Sequence, residues 1–379
     1  MLVIAADILL SFVPWKFELI KPIKQGFNDF SVYDLRYSEP DPTVTRMDTG
    51  ITLLQIGDTR QEIAEELDRI AAYHPQVVGI DAIFYNPGDP HTDSSLIAAA
   101  RKIKQLVLAS DYFRNKDTAY VRTSFFDSRV PGVQEGSYNF VEDSVDIKRH
   151  FRPFFPLGNQ QYPSLPGRML QVIAPEDYQY LLDHRGPGTI NYAGNLEHYN
   201  VVTLDRLLHP LPNEDPGAYF RDKIVFIGFF KPEKPDVLED MHFTPMNTRR
   251  GGKSFPDMYG VVIHANILEM MIGRHYIHTL PDWGVYGITF VIIFFINIFY
   301  IRRLSKSRKH NHFLLFLLQF ILAIGLLYLS LLIFDWFDVE LDPMPLLIAV
   351  VLSFEIFWLY EWLAVKMKKL FGYATFLPD

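Results

Sequence analysis

The chain has 379 residues, of which 49% are hydrophobic, 15% aromatic and 21% charged, a mixture that places polar and strongly apolar stretches in series. It contains no cysteine, which excludes disulfides, zinc–thiolate centres and thiol nucleophiles. Net charge is −8, and Met1–Trp283 carries 28 Lys/Arg against 37 Asp/Glu with no basic run, so nucleic acid is excluded as an expected partner.

Met1–Val13 is apolar apart from Asp7 and is followed by Pro14. As a helix it covers only about 20 Å, less than a bilayer core, and no basic residues precede it as they do in a signal peptide. Residues 1–20 are expected to hold the end of a spanning helix or signal anchor, shortened by the start of this sequence. A buried N-terminal strand or helix is the alternative.

Residues 30–283 read as one α/β domain. Ile51–Ile56 is an apolar strand that ends at Gly57-Asp58. Thr59 with Glu62 three residues on has capping-box spacing, and Ile63, Leu67 and Ile70 give the helix after it one apolar face. Gln76–Phe84 reads as a buried strand, Asp93–Lys104 as a helix and Gln105–Ser110 as a third strand. This alternation predicts a largely parallel sheet with right-handed crossovers. Asp111–Pro216 lacks a sustained period and predicts inserted loops with short strands such as Thr189–Tyr192. Lys223–Gly228 and the helix Val262–Gly273 return to α/β patterning, and both blocks are expected to join one sheet.

Three apolar runs follow, 284–301, 313–334 and 344–365, each about as long as the ~20 residues needed to cross a bilayer. A buried helical hairpin of a soluble protein is the bland alternative. The loop 302–312 carries Arg302, Arg303, Lys306, Arg308 and Lys309, and the tail 366–379 begins with Lys366, Lys368 and Lys369. The loop 335–343 carries Asp335, Asp338, Glu340 and Asp342 without Lys or Arg. The positive-inside rule then places the basic segments in the cytoplasm and residues 30–283 outside. The lipid bilayer is thus an expected partner. Glu355 lies near the middle of the third run, where an ionisable side chain is a functional candidate by default; an interhelical hydrogen bond is the structural alternative. Asn297 and Gln319 read as helix–helix contacts.

No catalytic motif is present. Gly251-Gly252-Lys253-Ser254 lacks the earlier glycine of a phosphate-binding loop, and Pro256 obstructs the helix that such a loop opens. There is no G-x-S-x-G and no H-E-x-x-H, and no cofactor is expected. Asp58 and Asp81 end or interrupt strands read as neighbours, and strand ends line ligand crevices in open α/β sheets. Asp240 and His264 could join them in a carboxylate–imidazole cluster for a cation or a polar ligand, the metal question staying open. Asp240 ahead of Thr244-Pro245 could instead order a loop, Asp81 could cap a turn, and His264 could be a hydrogen-bonded core histidine.

Several of these stretches carry a resemblance. Val77–Phe84 with Asp93, Tyr138-Asn139-Phe140, Asp143 with Asp146 and Arg149, Phe220–Gly228, Asp240 with Thr244-Pro245, and above all Tyr259–Asn266 directly before the apolar runs are similar to the second type of CHASE domain, an extracellular sensor module of bacterial signalling receptors. The resemblance covers most of the chain, from about Tyr33 to the third run. It implies ligand perception outside the inner (cytoplasmic) membrane and signalling through the spans; the reading of the residues themselves makes Asp58, Asp81, Asp240, Thr244 and His264 the ligand-binding candidates. Two loops depart from the family pattern, at Gly57–Arg60 and at Asp146-Ile147, so no particular ligand is implied. Such domains usually precede a cytoplasmic kinase or cyclase. Here about fourteen residues follow the third run, too few to fold as an enzyme, so a separate cytoplasmic or membrane signalling protein is the expected partner and no catalytic activity is expected. The rival readings are a membrane-anchored envelope enzyme using the Asp/His cluster, and a structural scaffold.

Overall fold

The computed structural model describes residues 31–38, 50–116, 118–141, 147–184, 186–234, 237–247, 255–304 and 312–372. The readings of Met1–Val13, of Asp143 and Asp146, and of Gly251–Ser254 lie outside the described residues. The described residues divide into two compact units, one running to Ile277 and the other beginning at His278.

The first unit opens with α1 (Asp34–Ser38) and continues β1 (Ile51–Gln55), α2 (Arg60–Ala71), β2 (Val77–Ile80), α3 (Pro90–Ala100), β3 (Leu106–Arg114), β4 (Ala119–Arg122) and β5 (Gln134–Ser137). The predicted capping box at α2 is present in full: the Thr59 hydroxyl accepts from the Glu62 amide, and Glu62 accepts from the Thr59 amide. β2 is shorter than the predicted run to Phe84. α3 begins three residues earlier than predicted, because Asp89 accepts from the His91 and Thr92 amides and Pro90 occupies the first turn, where its missing N–H costs nothing.

The middle of the chain forms two-stranded pairings, β6 (His150–Phe151) with β9 (Gly188–Thr189) and β7 (Phe154–Leu157) with β8 (Gln160–Pro163), around α4 (Leu165–Ile173) and α5 (Pro175–His184). The strand predicted over Thr189–Tyr192 is thus confined to Gly188–Thr189. Then come β10 (Asn200–Val202), α6 (Leu204–Leu208), α7 (Gly217–Phe220), β11 (Ile224–Gly228), β12 (Met241–His242), β13 (Met258–Tyr259) and α8 (Gly260–Gly273).

One sheet collects the strands in the order β10-β1-β11-β2-β3-β4, with β5 also on β3. Every pairing is parallel except β3 with β4. The two α/β blocks therefore do join, and β11 lies between β1 and β2. The reading of Asp58 and Asp81 as ends of neighbouring strands is corrected by this insertion.

Both faces of the sheet are covered, which is why its strands read as continuous apolar runs. Successive side chains alternate between the layers. Leu53, Val107 and Phe226 pack with Met169, Leu170, Val261 and Leu268 of α4 and α8. Leu54, Val78, Leu108 and Ile227 pack with Ile63, Leu67, Ile70 and Leu96 of α2 and α3. Gly79 at the centre of β2 admits Met169, whose sulfur would lie 2.4 Å from a Cβ there.

In the second unit, β14 (His278–Thr279) pairs in parallel with β15 (Val339–Glu340) beside three long helices, α9 (Asp282–Leu304), α10 (His312–Phe337) and α11 (Met344–Phe371). Ile293 packs with Ala349, and Leu326 with Leu346 and Val350. The Gln319 side-chain amide donates to the Val350 and Val351 carbonyls at 3.2 and 2.8 Å, joining α10 to α11 as predicted, whereas Asn297 donates back to Ile293 of its own helix. Among the described residues two helices are long and apolar enough to cross a membrane, over Asp282–Tyr300 and Phe316–Phe337; the apolar stretch described in α11 is Met344–Ser353. Glu355 lies within α11, and its side chain is outside the described residues.

Candidate functional site

β2 ends where the chain still follows the sheet: the Asp81 amide donates to the Ile227 carbonyl at 2.8 Å. Its carboxylate points toward α8, where His264 Nε2 lies 3.8 Å from Asp81 Oδ1, and the two side chains are only 7% and 2% exposed. That distance is too long for a hydrogen bond, and neither imidazole nitrogen has a hydrogen-bond partner. Burial pushes the Asp81 carboxyl well above the usual carboxylate range, and the negative charge of Asp240 adds to the shift. Burial, then the neighbouring His242, lowers His264 to about 3, with the Tyr138 backbone opposing. At neutral pH the imidazole is uncharged and its contact with Asp81 is not an ion pair.

Phe140 stacks on His264, ring centres 4.6 Å apart, and meets His242 edge-on at 5.1 Å. His242 Nε2 lies 3.5 Å from Asp240 Oδ1. Asp240 itself has φ +56 and its carbonyl accepts from the Gly260 amide at 3.0 Å. A Cβ at residue 260 would come within 3.0–3.1 Å of the Asp240 carboxylate oxygens. Gly260 thus lets a carboxylate lie against the first residue of α8, where the helix dipole favours negative charge.

Beyond Asp81, Asp111 of β3 accepts from the Tyr85 hydroxyl at 2.8 Å and from the Asn139 side chain at 3.1 Å. Tyr138, with a phenol pushed up by burial and by Asp111, also senses the charges of Asp81 and Asp240. The arrangement is an aromatic-lined row of carboxyl, imidazole and phenol groups at the carboxyl ends of β2 and β3, closed around Asp81 and His264 and open at Asp240, which is 38% exposed.

Of the five candidates, Asp81, His264 and Asp240 fall in this row. Asp58 stands apart, 73% exposed and 3.1 Å from Lys231 Nζ. Thr244 is buried and spends its amide and hydroxyl on Asp257, at 2.8 and 2.5 Å, so that it orders its loop. Burial raises Asp257 to about 6, opposed by those bonds. Among the described residues no group of three or more His, Asp or Glu side chains is placed to hold a metal ion. A polar groove of about 380 Å³ lined by Asp127, Glu135, Tyr162 and Arg168 contains none of the five. Phe140 and Asn139 belong to a stretch singled out in the sequence; His242, Tyr85 and Asp111 were missed, and only the Asp-x-His spacing of 240–242 offered a signal.

His264→Gln tests the neutral pairing. A histidine with a depressed folded-state pKa costs stability as pH falls from about 6.5 toward its folded value, by about 1.4 kcal/mol per pH unit. Asp81, shifted upward, acts with the opposite sign, so the difference between the two chains isolates His264. The wild type is expected to lose thermal stability relative to His264→Gln between pH 6.5 and 4, read by circular dichroism. Parallel curves would show that His264 is not held neutral.

A largely parallel α/β domain with a polar row at its strand ends, continuous in sequence with long apolar helices, defines the class. A model of the CHASE2 domain family matches residues 23–298, and the chain belongs to that family of extracellular sensor domains. Comparison with curated proteins and with solved structures gives no match.

Proposed function

We propose that this chain is a sensor subunit of the bacterial inner membrane, with its CHASE2 domain facing the periplasm or exterior. It perceives a ligand or an envelope partner at the Asp81–His264–Asp240 row and passes the change through three spans, α9, α10 and the apolar part of α11, to a separate output protein. The observation that carries the reading is a desolvated Asp81 facing a His264 whose ring nitrogens are unsatisfied, with the open Asp240 in the same row, at the strand ends of a sensor-family domain, where α/β sheets bind ligands. The charges of residues 302–312 and 366–369 against those of 335–342 support the orientation and the third span.

Catalysis is not part of this proposal. A hydrolytic or transfer site needs its reacting groups within reach of solvent-borne substrate, and of the three only Asp240 is open to solvent; a ligand engages there, and Asp81 and His264 respond from the closed part of the row. Glu355 in α11 is proposed to couple the spans to the output protein. Crosslinking in native membranes followed by mass spectrometry tests the whole reading. A recurring kinase, cyclase or regulator, weakened in Glu355→Gln, is the expected result; recovery of no signalling protein in either chain refutes it.

A further inference from the structure

The first unit has two chain ends, α1 on the incoming side and the segment after α8 that leads toward α9. One side chain joins them. Asn191 Oδ1 accepts from the Tyr37 hydroxyl of α1 at 3.3 Å, and Asn191 Nδ2 donates to the His275 carbonyl at 3.1 Å. Its backbone amide points to the Met270 sulfur of α8 at 3.3 Å. Beside it, Arg149 grips Asp34 of α1 with two nitrogens, at 3.0 and 2.6 Å, while the Arg149 carbonyl accepts from the Ile190 amide at 2.8 Å.

The same segment reaches the polar row. The Lys148 amide donates to the Phe243 carbonyl at 2.8 Å, next to His242, and Lys148 Nζ lies 5.8 Å from the centre of the Phe140 ring that stacks on His264. The Lys148 carbonyl in turn accepts from the Tyr192 hydroxyl at 2.6 Å, and Tyr192 packs edge-on against Tyr37. Residues 148–149 and 190–192 therefore form a continuous chain of contacts from Phe140 and Phe243 to both chain ends.

The geometry points to a clasp. Asn191 and the Arg149–Asp34 pair hold the incoming and outgoing ends of the sensor domain in one relation, and a change at the His264 row resets that relation through Lys148-Arg149. Asn191 and Arg149 are positioning residues, and the inference rests on the proposed role of the row as the perceiving site. A chain of contacts becomes coupling only when perturbing one end changes the other through the middle, and a double-mutant comparison measures that.

The absence of native cysteine makes the test direct. Spin labels at Arg36→Cys on α1 and Ile272→Cys near the end of α8 report the distance between the two ends in the full chain in lipid nanodiscs. One narrow distance is expected. Asn191→Ala is expected to broaden it and to raise amide exchange in α1 and at 275–277 about tenfold, the effect of losing a hydrogen bond or two. Asn191→Asp, which keeps the acceptor for Tyr37 and loses the donor to His275, should loosen only 275–277 and serves if the alanine variant folds poorly. Phe140→Ala is expected to shift the distance in the parent and to add nothing when Asn191 is already alanine. An unchanged distribution in the Asn191 variants overturns the clasp. A Phe140→Ala shift that is absent, or equal in both backgrounds, overturns its link to the row. These readouts need no output protein, so they fail or succeed independently of the crosslinking result.

Discussion

Replacing Glu66 with Gln is expected to raise the stability of the sensor domain at pH 8 by roughly 4 kcal/mol and to leave it nearly unchanged at pH 5. Glu66 lies on the buried face of α2 and is 0% exposed. Burial raises its carboxyl from 4.5 to about 8; the Gly57 backbone opposes the shift and the charge of Glu62 adds to it. A carboxyl shifted upward on folding contributes stability that is complete below about pH 4.5 and is lost as pH rises through 8. The wild type should therefore weaken steadily across that window. Gln keeps the shape and removes the titration. Thermal unfolding followed by circular dichroism at pH 5 and 8 gives the comparison. Equal losses in both chains would mean that Glu66 keeps its charge in the fold.

The second large effect is expected at Asn266, 0% exposed in α8. Its Oδ1 accepts from the Ala193 and Gly194 amides at 2.8 and 3.2 Å, and its Nδ2 donates to the Gly194 and Val262 carbonyls, both at 2.9 Å. Asn266→Ala strands three backbone groups of 193–194 and opens a void, together about 3–4 kcal/mol. Asn266→Asp keeps the acceptor for both amides but turns an acceptor toward the Gly194 carbonyl. Hydrogen–deuterium exchange should show a large loss of protection at Ala193-Gly194 in the alanine variant, with the aspartate variant between it and the wild type. The strap over 190–194 leads directly into Asn191, so this substitution also loosens the two chain ends.

These two sites mark how far the residues could be read in isolation. The capping box at Thr59–Glu62 and the apolar runs of β1, β2, β3 and β11 follow from local chemistry, and each stands at or near its predicted place. Asn266 sat in the family-like stretch Tyr259–Asn266 without a visible reason, because its partners at Ala193 and Gly194 lie more than seventy residues away in sequence. No local pattern marks Glu66 of α2 as a buried position. Its burial depends on how α2 settles over Gly57, where a Cβ would meet the Glu66 carboxylate at 3.0 Å.

The sequence by itself determined the class of this protein: an acidic α/β domain of the CHASE2 family, without thiol chemistry, joined to strongly apolar helices. Periodicity, capping and hydropathy are local quantities, and a strand buried on both faces or a long apolar helix declares itself within its own residues. Only the tertiary structure decided which acidic residues meet. Asp58 and Asp81 looked like neighbours until β11 came between their strands, and His264 found Asp81, Phe140 and His242 through contacts that span the whole domain. Strand order and the desolvation of a side chain depend on residues far apart along the chain, so neither can be read from a local pattern.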